Sequence, residues 1–433
     1  MQKIENRLLK FIDDTPNAYY CVENLKKMLK TNGFEQLYEN NVWDLKSNRK
    51  YFVIRNDASL IAFKTNEGME VPSFNITASH TDSPCLTIKT NPYIYDKNYL
   101  KLNINGYGGM LNYSWLDRPL SIAGRVVTLN DGVYEKHLVN IDKDLLIIPS
   151  QASHINREAN TKNELNLQKD MLPILSLSND KSMEDIIREN LESKGIEADI
   201  ICDYDLSLYN RDKAKIAGLN NEFILAPRLD DLANLFPSFI GFLTSFNEDS
   251  INVFCAFDKE EVGNTNSHGA ASTFLIDTLT RISESLDINL LVALNNSMVV
   301  SADSSHANHP NAKEKNDPTN QVLLNGGVTI KHHKNYPTDA ITSSIFKGIC
   351  NNANIPYQDY ASRADMLCGI TLGLTSQRKV SVDTVDIGIP QLAMHSANET
   401  IGSNDIIYMC KAVNEFYSTK ILKQENKIKL LRR

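Results

Sequence analysis

One stretch limits what this chain can become: Asn252-Val-Phe-Cys-Ala-Phe-Asp-Lys-Glu-Glu-Val-Gly263. The run from Val253 to Phe257 is apolar throughout and reads as a buried strand. Two adjacent acids, Glu260 and Glu261, follow it, and Gly263 closes the stretch. Side-by-side carboxylates at the mouth of a buried strand repel each other and lose solvation. A strand that runs out into an exposed acidic turn avoids that cost. A cation at the strand end also avoids it. Lys259 carries one on a flexible stem; a metal ion is another, with one acid as ligand and its neighbour free to move protons. The stretch alone leaves these readings open.

The rest of the 433-residue chain narrows the choice. Its length suggests two domains. A net charge of −8 argues against a nucleic-acid surface as its main business. There are seven cysteines, no two of them in a C-x-x-C pair, and several lie within apolar runs. That usage fits reduced core thiols in a reducing compartment. The first residues, Met-Gln-Lys-Ile-Glu-Asn-Arg, lack the apolar segment of a secretory signal, and no run approaches 18 apolar residues. A cytoplasmic protein with no membrane span is therefore expected, and the sequons at Asn75 and Asn398 carry no weight.

In chain order, residues 1–34 read as helical, and Tyr51–Ile54 with Leu60–Phe63 as a hairpin around Asn56-Asp57. Phe74-Asn-Ile-Thr-Ala-Ser-His-Thr-Asp-Ser-Pro84 reads as a short strand that ends in His80-Thr81-Asp82 and is broken by Pro84. His80 and Asp82 can meet only if the strand stops between them. Residues 91–218 change character. Short β-like runs, Leu100–Ile104, Ser121–Leu129, Val133–Val139 and Leu145–Ile148, alternate with Asn, Asp and Gly turns. Gly106-Tyr-Gly-Gly109 does not match a nucleotide-binding loop. Met183–Lys194 reads as a helix. Beyond the block a helix starts near Asp230, Ile288–Leu294 reads as a buried strand, and Met298–Asp303 is an apolar run ending in an acid. A strand ends at Lys331, another apolar run ends at His395, a helix spans Asp405–Leu422, and the basic tail Lys427–Arg433 is expected to be a solvated end.

These segments share a pattern. Apolar runs or helix starts deliver His80, Asp230, Glu260 with Glu261, Asp303 and His395. In open α/β sheets, sites gather at the carboxyl ends of strands. His80, His395, Asp230, Glu261 and Asp303 are ligand types suited to Zn²⁺, with Co²⁺ or Mn²⁺ as alternatives. Five ligands exceed the three of a single catalytic zinc and suit two metals sharing one carboxylate. Glu260 is then left as a general base.

The ordered motifs Ala78-Ser-His-Thr-Asp-Ser-Pro84, Pro227-Arg-Leu-Asp-Asp231, Asp258-Lys-Glu-Glu-Val-Gly263, Ser301-Ala-Asp303 with His306 to Pro310, and Gln391-Leu-Ala-Met-His-Ser396 closely resemble the aspartyl aminopeptidases. Trp115-Leu-Asp-Arg118 and Asp317-Pro-Thr319 extend the resemblance across the chain. It implies an α/β fold: a metallopeptidase domain with a mixed sheet flanked by helices (1–90 and 219–433), interrupted by a β-rich dimerisation domain (91–218). It implies two divalent metals. His80, Asp230 and Asp303 would hold one, and Asp230, Glu261 and His395 the other, with Asp230 bridging. Glu260 would be the general base and Asp82 would orient His80. Lys331 would read an acidic side chain at the substrate N-terminus, its buried ammonium left unpaired by a neutral residue. His154 would reach a neighbouring subunit's site and steady the reacting carbonyl.

The implied function is removal of N-terminal, preferably acidic, residues from peptides by a hydroxide held between two metals, in a homo-oligomer, a tetrahedral dodecamer built from dimers. The rival readings are a relative preferring neutral residues, an amidohydrolase acting on non-peptide acyl groups, and a scaffold protein with structural metals.

Overall fold

The computed structural model describes residues 3–432 apart from 163, 178–180 and 367. Its centre is a nine-stranded mixed sheet in the order Glu35–Leu37, Lys50–Arg55, Ser59–Lys64, Ile251–Phe257, Phe74–His80, Met298–Ala302, Asp383–Gly388, Val328–His332 and Tyr357–Ala361. The strand Ile251–Phe257 is fully buried because both of its faces are covered. Phe254 and Ala256 join one apolar core, with the helices Ile4–Asp13, Ala18–Thr31, Leu229–Thr244 and Asp405–Ser418. Val253, Cys255 and Phe257 face a second core, with the helix Phe274–Ser285. Phe254 sits against Phe239 and Phe242, at centroid distances of 5.2 and 5.9 Å. Truncating such a ring to alanine costs about 3–5 kcal/mol.

Four neighbouring strands of this sheet, from Ile251–Phe257 to Asp383–Gly388, run parallel, so their carboxyl ends meet at one edge. Phe257 pairs with His80, and Ala78 pairs with Ser301. The Thr81 amide donates to the Phe257 carbonyl (2.8 Å), and the Asp303 amide to the Ile387 carbonyl (3.0 Å). The residues after each strand are thus delivered to the same place. A small sheet pairs Ala226 with Glu399, which brings the start of the helix Leu229–Thr244 beside the segment that follows His395.

Strands drawn from Cys85 to Asn210 form a separate six-stranded sheet with its own core around Leu102, Ile122, Val126, Leu206 and Leu208, capped by the helix Met183–Glu192.

Four local expectations change. Ile288–Leu294 is not a strand: Leu290–Asn295 is a short helix whose first turn is capped by the Asn289 side chain, and Leu291 is exposed. A short apolar run does not distinguish the two by periodicity. Leu145–Ile148 forms only isolated bridges, Leu146 with Leu120 and Ile147 with Ile174. The last helix stops at Ser418, short of Leu422, and buries Ile406, Met409, Ala412, Val413, Phe416 and Tyr417; Ile407 and Cys410 are only half-buried. The basic tail is no free end, because Lys427–Arg432 pairs antiparallel with Thr419–Gln424 and Leu430 packs on the core. Arg433 lies outside the described residues.

Candidate metal centre

Each anticipated ligand reaches one cluster. His80 ends its strand and Asp303 follows the next one. Glu260 and Glu261 lie on a turn entered through Lys259 in a left-handed conformation (φ 70°). Asp230 sits at the start of its helix with extended ψ (105°), which turns its carboxylate toward the strand ends. His395 also has positive φ (65°) in the loop after Pro390–Leu392. Three overlapping groups result: His80 with Asp230, Asp231 and Asp303; His80 with Glu260 and Glu261; and Asp230 with Glu261 and His395, the ligand atoms of each group lying within 4.8 Å of one another.

The two oxygens of Asp230 face different histidines. Oδ1 is 3.3 Å from His80 Nε2 and Oδ2 is 3.4 Å from His395 Nε2. Glu261 Oε2 is 3.4 Å from His395 Nε2, and Asp303 Oδ1 is 3.8 Å from His80 Nε2. These spacings exceed ordinary N–H···O bonds. Among the described residues, Asp230 Oδ1 and Glu261 Oε1 are buried without hydrogen-bond partners.

Both imidazoles are held from behind. His80 Nδ1 donates to the Asp82 carbonyl and His395 Nδ1 to the Gly109 carbonyl, each at 3.0 Å. A carbonyl only accepts, so Nδ1 carries the proton and Nε2 turns into the cluster with its lone pair. Imidazole nitrogens and carboxylate oxygens brought together in these overlapping groups form a donor set that fits divalent metal.

The electrostatics agree. Burial opposes a charged His395, yet Asp230 and Glu261 pull its pKa up to about 10. Burial, with Asp303, Asp82 and Asp230, pushes Glu260 up to about 8 against the pull of His80. Glu261 rises well above the carboxylate range through burial and Asp230. Crowded carboxylates in low dielectric compete for protons, and a divalent cation relieves the same repulsion.

The expected contact between the Asp82 carboxylate and His80 is replaced by one to the Asp82 backbone carbonyl, which leaves the carboxylate free for other donors. Its carboxylate is 3.5 Å from His80 Nδ1, but it accepts the Glu260 and Glu261 amides, each at 3.2 Å, and the Tyr107 hydroxyl at 2.6 Å. Burial opposes ionisation of Asp82, yet His80, Tyr107 and the Glu261 amide hold its pKa below the usual carboxylate value.

Lys331 lies beside the cluster, but its ammonium has partners already. It donates to the carbonyls of Asp303 (2.9 Å) and Ser304 (3.1 Å) and lies 3.8 Å from Asp303 Oδ2. The expectation of an ammonium left unpaired by a neutral substrate is therefore corrected. His154 sits in an exposed turn and belongs to none of the groups above.

Two residues at the site escaped the sequence reading. Glu399 is buried and bridges two ligand segments, accepting the Asp230 amide (3.0 Å) and the His395 amide (2.7 Å). Its only signal was a carboxylate four positions after His395, inside a meaningless sequon. Asp231 accepts the His80 amide (3.0 Å) and the Asn234 side chain (2.7 Å), so its carboxylate braces the site from below.

A family model described as "Aminopeptidase I zinc metalloprotease (M18)" matches residues 11–417. The chain belongs to the M18 aminopeptidase family. Like its relatives it is a zinc metallo-aminopeptidase by family. It is 40% identical over 427 residues to a probable M18 family aminopeptidase 2 of Clostridium novyi, covering 96% of this chain and 99% of the relative. A similar protein of Pseudomonas aeruginosa is 36% identical over 427 residues, covering 97% and 99%. Among solved structures, a chain of the Ape4–Nbr1 complex superposes with a TM-score of 0.92 at 31% identity, covering 95% of this chain and 85% of that one. The M18 aminopeptidase of Thermotoga maritima shares the fold, with a TM-score of 0.82 at 22% identity and coverage of 96% and 95%.

Proposed function

We propose that this M18 enzyme removes N-terminal residues from peptides at a dinuclear metal centre, with acidic residues preferred. The observation that carries the dinuclear reading is the split carboxylate of Asp230, one oxygen toward each histidine. His80, Asp230 and Asp303 would hold one ion, and Asp230, Glu261 and His395 the other. Zinc is the metal named by the family; Co²⁺ and Mn²⁺ suit the same donors.

When bound, such an ion pair supplies Lewis acidity that polarises a carbonyl and lowers the pKa of water toward about 7. Glu260 then takes the proton of the attacking water and returns it to the leaving amine. Asp82 fixes Glu260 through its backbone amide. Lys331, buried beside Asp303, would meet an acidic substrate side chain with its ammonium face. Its raised pKa supports a charged state: burial opposes the charge, but Asp303 and Asp386 favour it. The same two carboxylates partly balance that charge, which is the observation favouring a broader preference that includes neutral residues.

His154 would act in a neighbouring subunit, and its exposure within its own chain supports that reading. A dodecamer is proposed on the fold likeness to yeast mApe1, which was solved as a dodecamer (TM-score 0.83, 24% identity). The segment 91–218 is proposed as its dimerisation domain. A cytoplasmic location goes with this reading, supported by the unpaired buried thiols of Cys21, Cys255 and Cys350. The test is a panel of aminoacyl p-nitroanilides with and without chelator. Chelator-sensitive release led by Glu and Asp substrates is expected. Equal turnover of Glu and Leu substrates would remove the acidic preference, and chelator-resistant release would remove the metal mechanism.

A further inference from the structure

The glycine-rich stretch Gly106-Tyr-Gly-Gly109 does not match a nucleotide-binding loop, yet the structure gives it a place. It leaves the six-stranded sheet at the end of the strand Tyr99–Tyr107 and crosses the metal cluster. The Tyr107 hydroxyl donates to Asp82 Oδ2 at 2.6 Å. The Gly109 carbonyl accepts from His395 Nδ1 at 3.0 Å, and the Leu111 amide donates to the His395 carbonyl at 3.0 Å. Side chains are excluded in between. A Cβ on Gly108, whose φ is +72°, would lie 3.1 Å from Glu261 Cβ and 3.2 Å from its Oε2. A Cβ on Gly109 would lie 3.3 Å from His395 Nδ1.

Asp82 in turn accepts the amides of Glu260 and Glu261, so the Tyr107 hydroxyl is one residue removed from both glutamates. We propose that this turn is a positioning device for the metal centre of its own subunit: Tyr107 acts through Asp82 on the Glu260–Glu261 turn, and Gly109 fixes His395 with Nε2 facing the ions. The proposal rests on the dinuclear reading of the site. It gives the β-rich segment a role within one chain, separate from any role of His154 between chains. Partners one shell behind metal ligands typically change metal affinity or activity about 10- to 100-fold when removed.

Tyr107→Phe isolates the hydroxyl, because the ring that lies 4.9 Å under the Lys259 ammonium is kept. The full-length protein is titrated with Co²⁺ against a competing chelator, its visible absorption is recorded, and kcat and KM are measured. We expect Y107F to fill both sites at saturation, with an altered Co²⁺ spectrum, an affinity lower by about ten-fold or more, and a loss in kcat rather than KM. Tyr204→Phe removes a hydroxyl from the same sheet, one that among the described residues donates to the Lys89 and Thr90 carbonyls, and should match wild type. Gly109→Ala is the second variant, expected to weaken the His395 site. Wild-type Co²⁺ affinity and spectrum in both Y107F and G109A would overturn the proposal while leaving the dinuclear reading intact. Failure of the wild-type protein itself to take up two Co²⁺ would overturn both.

Discussion

Glu260 and Glu261 are neighbours in sequence with different surroundings, so they should fail differently. Glu261 joins the group that contains Asp230 and His395, with its Oε2 3.4 Å from His395 Nε2. Glu260 joins only the group with His80 and Glu261. Glu260→Gln should keep both metals by elemental analysis and lose about 10²–10⁴ in kcat, the usual worth of a general base. Glu261→Gln should lose metal under the same dialysis. Equal metal content with equal turnover loss would merge the two roles. At Lys331, substitution by Met removes the charge and two hydrogen bonds to the Asp303–Ser304 backbone. The ratio of Glu to Leu turnover should fall, and metal binding should weaken because Asp303 loses its anchor. A changed ratio at unchanged metal affinity would make Lys331 a pure substrate contact.

Elements matter here chiefly for where they stop. Gly388 ends its strand with a Cβ position 2.0 Å from the Asp303 carbonyl, and Gly124 in the β-rich sheet has one 2.0 Å from the Asp205 carbonyl. Both demand a missing side chain, but only the first adjoins a metal ligand. Gly388→Ala should lower both melting temperature and metal affinity. Gly124→Ala should lower melting temperature and leave metal stoichiometry unchanged. Loss of metal in both would mean the two sheets do not respond independently.

At the scale of the whole molecule, linked protonation ties the cluster to stability. In the metal-free protein His395 is raised to about 10 and Glu260 and Glu399 to about 8. Burial comes first among the influences on each; it raises the acids and opposes His395, whose rise comes from Asp230 and Glu261. Away from the cluster, burial lifts Asp405 to about 7. A raised histidine stabilises the fold at low pH and loses that contribution as pH climbs through its folded pKa. A raised carboxylate binds its proton more tightly folded than unfolded, so its contribution also falls with rising pH, here from about 4.5 to about 8. Both signs agree: metal-stripped protein should melt at progressively lower temperature between about pH 5 and pH 8. Metal-loaded protein should show a flatter profile. The assembly makes a second prediction. Mixing refolded Glu260→Gln and His154→Ala subunits should give more activity than the two apart, because the second subunit keeps Glu260 and borrows His154. Strictly additive activity would remove the role between subunits.

Much of the site was legible because ligand chemistry and strand ends are local signals. Val253–Phe257 had to be a buried strand, and acids at its mouth had to be met by cations or water. The same logic marked His80, Asp230, Asp303 and His395. Glu399, Asp231 and the Tyr107–Gly109 turn were not legible, since their role is to hold backbone amides and imidazoles of segments distant in sequence. The satisfied state of Lys331 was equally invisible, because the groups it donates to are backbone carbonyls. The strand expected at 288–294 failed because so short a run, apolar but for Asn289, carries no period to separate strand from helix. The sequence by itself determined which residues could ligate and which strands must be buried. Tertiary structure alone decided how those ligands are aimed, because aim depends on the parallel register that brings Phe257, His80 and Ser301 to one edge and on the backbone groups waiting there.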